Sequence, residues 1–445
     1  MTGSVTLTGA SVIVERFDDP AADRNGTLVV QDGRVAAAGS PSPAGEVLDA
    51  EGGIVTPGLV NAHHHLLQSG FRTLPGTRGV PMRDWLPAMA AAYARAGIDA
   101  SLVGATAGVG LAESLLCGVT TVADHQLNWP DPGAVADPIG NTVAIARAVA
   151  AAATTLGARL VFVRGSARDD PDAAADSAEA IVRALLPADS ASGTSADGML
   201  QLAVGPAGVH SDSAETFRAL GAVAHRHGLR RRTQANEQVD TEIALQRYGR
   251  RPLDLLEDWG WLESDVTIAH LCDVTDDEIA RLATAGVSAT HAPGCDVPMG
   301  WGVSPVRRIR DSGIAVGLGT SGGGSNDAGH LLADARLAMQ VSGLVGPVLT
   351  ARDVLAMATS GGAAGLGRAD LGILSPGAAG DFCVWDVSGV ADAGVADPVA
   401  GLVWSHPGRR PRHVVVAGRV VVRDYRLVTA DEAALVAALR DRTGR

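Results

Sequence analysis

Between residues 58 and 368 the chain repeats one unit: a short unbroken apolar run, a polar loop, then an alanine-rich stretch with helically spaced apolar positions. The apolar runs predict strands at 54–61, 120–124, 160–164, 200–205, 231–235, 266–270, 287–291 and 315–319. Helices are predicted among them, including 100–116, 173–186, 213–227 and 276–285. Largely apolar strands are buried on both faces, as in parallel sheets covered by helices. Eight of them alternating with helices predict an α/β protein built on a (β/α)₈ TIM barrel. An open nucleotide-binding sheet is disfavoured, because no glycine-rich phosphate loop follows an early strand.

The two chain ends differ from this middle. Residues 26–31 and 34–38 flank Asp32-Gly33, a hairpin signal, and 413–417 and 419–423 flank Gly418 in the same way. Neither end is large enough for a core of its own. The expected organisation is a small β-sandwich domain formed by both ends, 1–57 and 369–445 with a terminal helix, around a barrel at 58–368.

Composition narrows the function. The chain has 445 residues, 46% hydrophobic and 19% charged, enough to build a large core. Its net charge of −13 argues against nucleic acid and anionic membranes as partners. The longest apolar stretches, such as 148–158, are expected to be too short to span a bilayer. No lysine occurs, so Schiff-base and Walker-lysine chemistry are excluded. Cys117, Cys272, Cys295 and Cys383 form no CxxC pair, and no signal-peptide pattern opens the chain, which predicts a cytoplasmic protein with reduced thiols.

In a barrel, chemistry gathers where strands end. The first strand ends in Asn61-Ala62-His63-His64-His65, with His63 and His65 on one side, a half-site for zinc or iron. Other strand ends carry His125, Arg164, Gln234 with Glu237, His270, His291 and Ser321. His210 follows the fourth strand and is ambiguous, while Trp85, Trp129 and Trp301 lie in strand-end loops where a planar ring could stack. Gly319-Thr320-Ser321-Gly322-Gly323 also fits the loose GxSxG nucleophile pattern, without the hydrolase context that pattern needs.

Thr56-Pro57-Gly58-Leu59-Val60-Asn61 followed by HxH resembles the amidohydrolase superfamily. The segments HHHLLQS (63–69), GVTTVADH (118–125), VRGS (163–166), RYGRRPLDLLEDWGWL (247–262) and THAPGCDVPMGWGVSPVRRIRDSG (290–313) resemble its guanine and 8-oxoguanine deaminase and triazine hydrolase branch. The resemblance runs end to end. It implies a homodimeric barrel in which one divalent metal activates water against a C–N or C–Cl bond of a nitrogen heterocycle. It further implies metal ligands at His63, His65, a strand-five histidine and a strand-eight aspartate, with Glu237 moving protons, His270 orienting water, and Gln68 and Arg164 binding the ring.

Two implied ligands are replaced. The strand-five motif reads Gln234-Ala235-Asn236-Glu237, and the strand-eight motif reads Ser321-Gly322-Gly323-Gly324-Ser325-Asn326. An amide oxygen and a hydroxyl are weaker ligands than imidazole and carboxylate, and one negative charge is lost, so Zn2+ or Fe2+ at His63 and His65 is expected to be weakly held or absent. The expected function is hydrolysis of a C–N bond in a small nitrogen heterocycle, with Glu237, His270, His291 and Ser321 catalytic and Gln68, Arg164, Gln234 and His125 binding substrate. The alternatives are a metal-free derivative doing tautomerisation, elimination or cyclisation through Glu237 and His270, and a catalytically inactive binding protein.

Overall fold

The computed structural model describes residues 3–42, 45–187, 190 and 192–444. The first sheet opens with β1 (Val5–Ile13), β2 (Arg24–Gln31), β3 (Arg34–Val35), β4 (Glu46–Asp49) and β5 (Ile54–Pro57). Asp32 and Gly33 turn β2 into β3, with φ of 50° and 78°, a geometry Asp and Gly tolerate. The barrel follows as β6 (Leu59–His65), β7 (Val119–Gln126), β8 (Arg159–Ser166), β9 (Leu200–Pro206), β10 (Arg230–Ala235), β11 (Val266–His270), β12 (Ser288–His291) and β13 (Val316–Leu318), with β14 (Ser321–Gly322) as a short extension beside β6. Neighbours pair in parallel around the ring, and Leu318 against Asn61 closes it. The chain then returns to the first sheet as β15 (Phe382–Trp385), β16 (His413–Val416), β17 (Arg419–Arg423) and β18 (Arg426–Leu427), β15 lying antiparallel to β5.

The strand predicted at 54–61 is two strands. It breaks at Gly58, where a Cβ would fall 2.3–2.9 Å from the Thr120 side chain. Pro57 pairs with Phe382 in the small sheet, and Leu59 with Val119 in the barrel.

Helices α1 (Met82–Ala96), α2 (Ala100–Leu116), α3 (Pro138–Leu156), α4 (Pro171–Leu185) and α5 (Ala214–His227) precede α6 (Val239–Tyr248), α7 (Pro252–Asp258), α8 (Asp276–Ala285) and the short α9 (Pro293–Asp296). Side chains of Asp99, Asp137, Asp170, Ser213 and Thr275 cap α2, α3, α4, α5 and α8. By length and composition α3 is apolar enough to cross a membrane, which corrects the expectation that no apolar stretch reaches that length. Here it belongs to the barrel wall, with Ile145, Ala146, Val149 and Ala153 buried.

Two contacts tie the parts together. At the start of β8, Arg159 donates to both Asp381 carboxylate oxygens (2.7 and 2.9 Å), and Asp381 also accepts from the Ala417 amide. The terminal helix Glu432–Thr443 lies on the barrel, with Leu435 over Gly108, Leu439 over Gly70, and Arg442 paired to Asp99 at 2.9 Å.

Candidate active site

A cavity of about 630 Å³ opens at the C-terminal ends of the barrel strands. Met82, Trp85, Leu86, Met89, Tyr93 and Ile243 give it apolar walls, and His65, Gln68, His210, Gln234, Glu237 and Ser321 supply its polar floor. Five non-glycine residues at these strand ends hold positive φ: Asn236 (56°), Gln238 (66°), His270 (77°), Leu271 (54°) and Ser321 (53°). Such conformations cost free energy and persist where the surrounding fold imposes them, often at functional sites.

Strand alternation brings His63 and His65 together, their ring centroids 4.8 Å apart and edge to face. His64 points the other way, its Nδ1 2.9 Å from the Thr320 hydroxyl. His65 Nδ1 is 2.8 Å from the His125 carbonyl, which can only accept, so the proton sits on Nδ1 and Nε2 is left bare. His63 Nε2 is buried without a hydrogen-bond partner. Burial drives His63 well below the ordinary histidine range and His65 to about 4, so both imidazoles are neutral at pH 7.

Beside them lies an acid–base group. His270 Nδ1 is 2.6 Å from Asp296 Oδ1, its Nε2 is 3.1 Å from Gln234 Oε1, and Glu237 Oε1 lies 3.6 Å from Nε2. Burial pulls the His270 pKa down, but the charge and hydrogen bond of Asp296 outweigh it, and the net shift is upward. Asp296 Oδ1 and Gln234 Oε1 are both acceptors, so the geometry favours a proton on each His270 nitrogen. Burial pushes Glu237 up to about 8, against the pull of His270, so at pH 7 this carboxyl keeps its proton. Burial also raises Asp296, but the charge and hydrogen bond of His270 more than offset it and hold the pKa at about 2.

The other expected site residues are placed unevenly. Gln68 lines the cavity and accepts from the Gly324 amide (3.0 Å), clamping the glycine turn after β14. A Cβ on Gly322 would fall 2.1 Å from Gln68 Oε1, so a larger residue there would displace the Gln68 amide from the cavity floor. Ser321 is on the cavity with its hydroxyl by the Cys295 thiol, and among the described residues no histidine ring bonds that hydroxyl, which leaves the GxSxG reading without its base. Gln234 is on the cavity with both ends engaged, its Nε2 donating to the Ala207 carbonyl at 3.1 Å.

His291 sits behind the cavity, Nδ1 3.5 Å from Asp296 Oδ2. His125 is buried off the cavity with Nε2 on the Gly205 carbonyl. Arg164 is also off it, held by Asp169 (2.7 Å), the Ser177 hydroxyl and the Trp129 face. Its Nε and Nη1 are spent on Ser177, the Gly165 carbonyl and Asp169 rather than on the cavity. Trp85 and Trp301 line the cavity, and Trp129 does not.

Sequence reasoning passed over Asp296, although it lies inside the quoted GCDVP segment, and left His210 open. It also passed over Arg232, buried one layer beneath Gln234 on the same side of β10. Strand parity with Gln234 was the available signal.

As for a metal, the resemblance implies four ligand positions. Two bare imidazole nitrogens, of His63 and His65, answer two of them. The Gln234 carbonyl is bound to His270, and Ser321 carries no charge. Among the described residues, the ligand atoms that cluster within 4.8 Å belong to His270, Cys295 and Asp296, not to the HxH pair. Asp296 already holds His270, and burial keeps the Cys295 thiol protonated.

A closed barrel with convergent histidines, a buried glutamate and a histidine–aspartate pair at the strand ends has the layout of a barrel enzyme. The chain belongs to the amidohydrolase family, whose sequence profile matches residues 54–421. It is 32% identical over 441 residues to the 8-oxoguanine deaminase of Pseudomonas aeruginosa, covering 94% of each chain. It is 31% identical to the 5-methylthioadenosine/S-adenosylhomocysteine deaminase of Halobacterium salinarum, over 98% of this chain and 96% of that one. Its fold matches atrazine chlorohydrolase from Arthrobacter aurescens TC1, solved with zinc, at a TM-score of 0.91 and 32% identity, over 99% of this chain and 100% of the other.

Proposed function

We propose that the protein hydrolyses a C–N bond of a small nitrogen heterocycle, by deamination or by opening a ring amide or amidine, in the 630 Å³ cavity. The observation that carries this is Glu237: a buried carboxyl on the cavity floor, its pKa pushed up by burial, 3.6 Å from His270 Nε2. Similarity to deaminases of heterocyclic compounds supports the substrate class.

In this scheme Glu237 gives its proton to a ring nitrogen, making the adjacent carbon electrophilic. Water attacks that carbon while the bare Nε2 of His65 takes its proton. The tetrahedral carbon then expels ammonia or an amine, which takes the proton from His65, and Glu237 regains its own as the hydroxyl becomes a carbonyl. His270, kept cationic by Asp296, steadies the Glu237 carboxylate between the two transfers. Gln234 and Gln68 bind polar edges of the ring, and Trp85 or Trp301 stacks on its face. No metal enters, because the donor set fits one poorly: two neutral imidazoles, an engaged amide and a hydroxyl are short of the three good ligands catalytic zinc generally needs.

The test is ammonia release from a panel of aminopurines, aminopterins and amino-triazines. For the substrate found, E237Q is expected to lower kcat/KM by about 10²- to 10⁴-fold. Undiminished turnover in E237Q would overturn the assignment. Substrate loss without ammonia or amine release would instead select the non-hydrolytic alternative.

The same reading keeps 1–57 and 369–445 as one β unit around the 58–368 barrel. It also keeps the expectation of a cytoplasmic homodimer. Four unpaired cysteines, three of them buried, support a reducing compartment. Light scattering at twice the 45.2 kDa chain mass checks the dimer.

A further inference from the structure

Three arginines in a row, Arg230, Arg231 and Arg232, form the first half of β10, and alternation sends them different ways. Arg231 pairs with Glu263 and Asp265, and Arg230 donates to the Ser264 and Gly365 carbonyls. Arg232 turns into the barrel, where it is 3% exposed. Its Nη2 donates to the carbonyl of Ala62, the residue before His63, and its Nη1 has no hydrogen-bond partner. Among the described residues no carboxylate pairs with it. A buried charge ordinarily has a counter-ion, because desolvation alone is expensive. Here the guanidinium stands without a carboxylate partner on the β6 backbone, at the carbonyl of the residue that precedes His63.

This position is electrostatically costly for a dication. A metal held by His63 and His65 would face a fixed positive charge in a region water does not screen, with no carboxylate at Gln234 or Ser321 to offset it. The three side chains act in the same direction, two by removing donor strength and one by adding like charge.

We propose that Arg232 is a fixed cation beneath this barrel mouth, adding to the positive charge of His270 where zinc-bearing relatives hold a divalent metal, so that the site excludes such metals. The inference rests on the functional reading only for where the active cavity lies. Arg232 is a positioning residue: it acts through His63 and the β6 backbone rather than by touching substrate.

The experiment is zinc binding, read by elemental analysis of protein purified without chelator and by calorimetric titration with zinc. The wild-type chain is expected to carry well under one zinc per chain and to show no stoichiometric uptake. The variant Q234H/S321D restores donors but keeps the guanidinium. Adding R232M is expected to tighten its zinc binding by about 10- to 100-fold through loss of the opposing charge. R232Q in the same background removes the charge while keeping a hydrogen-bond donor, and is expected to behave likewise.

Equal zinc affinity with and without Arg232 overturns the proposal, as does stoichiometric zinc in the wild-type protein. If neither arginine variant folds, the wild-type measurement decides. Stoichiometric zinc alongside E237Q-sensitive ammonia release would refute the exclusion and leave the hydrolytic function standing.

Discussion

Glu237 shows how far a single position can be argued from its residue type and how far it needs its surroundings. Its place at a strand end is visible in QANE, but its protonation at pH 7 follows from burial, which raises it from an ordinary 4.5 to about 8. A reaction that starts from the protonated carboxyl is therefore expected to hold its kcat/KM below that value and lose it as pH rises through about 8, tenfold per unit. A pH–rate profile with no falling limb near 8 would contradict the assignment. Arg164 and His125 are the opposite case. Both end strands where a ligand could be met, yet Asp169, Ser177 and Trp129 absorb the first, and the Gly205 carbonyl holds the second. Which neighbours claim a polar side chain depends on residues distant in sequence, and no local pattern reports them.

At the scale of elements, apolar runs and helically spaced apolar positions located most barrel strands and helices within a residue or two. The strand 266–270 and the helix 276–285 coincide with β11 and α8. The miss at 54–61 has a steric cause: Gly58 lets Thr120 approach, and the chain leaves one sheet for another without a polar break. The eighth strand depends on a similar approach. A Cβ on Gly319 would lie 2.7 Å from both the Cβ and the carbonyl oxygen of His63. Because those atoms belong to a central strand, G319A is expected to displace β6 and destabilise the fold by about 1–3 kcal/mol. Urea denaturation checks this, and an unchanged midpoint would mean that β6 and β13 have more room than their separation indicates.

Across the whole molecule, buried titratable groups oppose one another. Burial lowers His64 and His125 to about 3 and His65 and His210 to about 4, so each contributes stability that is lost as pH falls below 6.5. Burial raises Asp124 and Asp334 to about 7 and Glu237 to about 8, and these contribute stability that is lost as pH rises from about 4 toward those values. The two sets offset each other at intermediate pH, and each acts alone outside it. Maximum stability is expected at about pH 5–6.5, falling toward pH 4 and toward pH 8. Denaturant midpoints at the three values test this, and a maximum above pH 8 would refute it. The sequence by itself determined the barrel, its split β unit and the ring of polar strand ends, because apolar periodicity and glycine turns are local instructions. Only the tertiary structure decided which of those polar groups are free, which are charged, and that Arg232 stands on the β6 backbone before His63 with no carboxylate partner among the described residues. Charge state and satisfaction depend on burial and distant partners, which exist only once the strands have closed on one another.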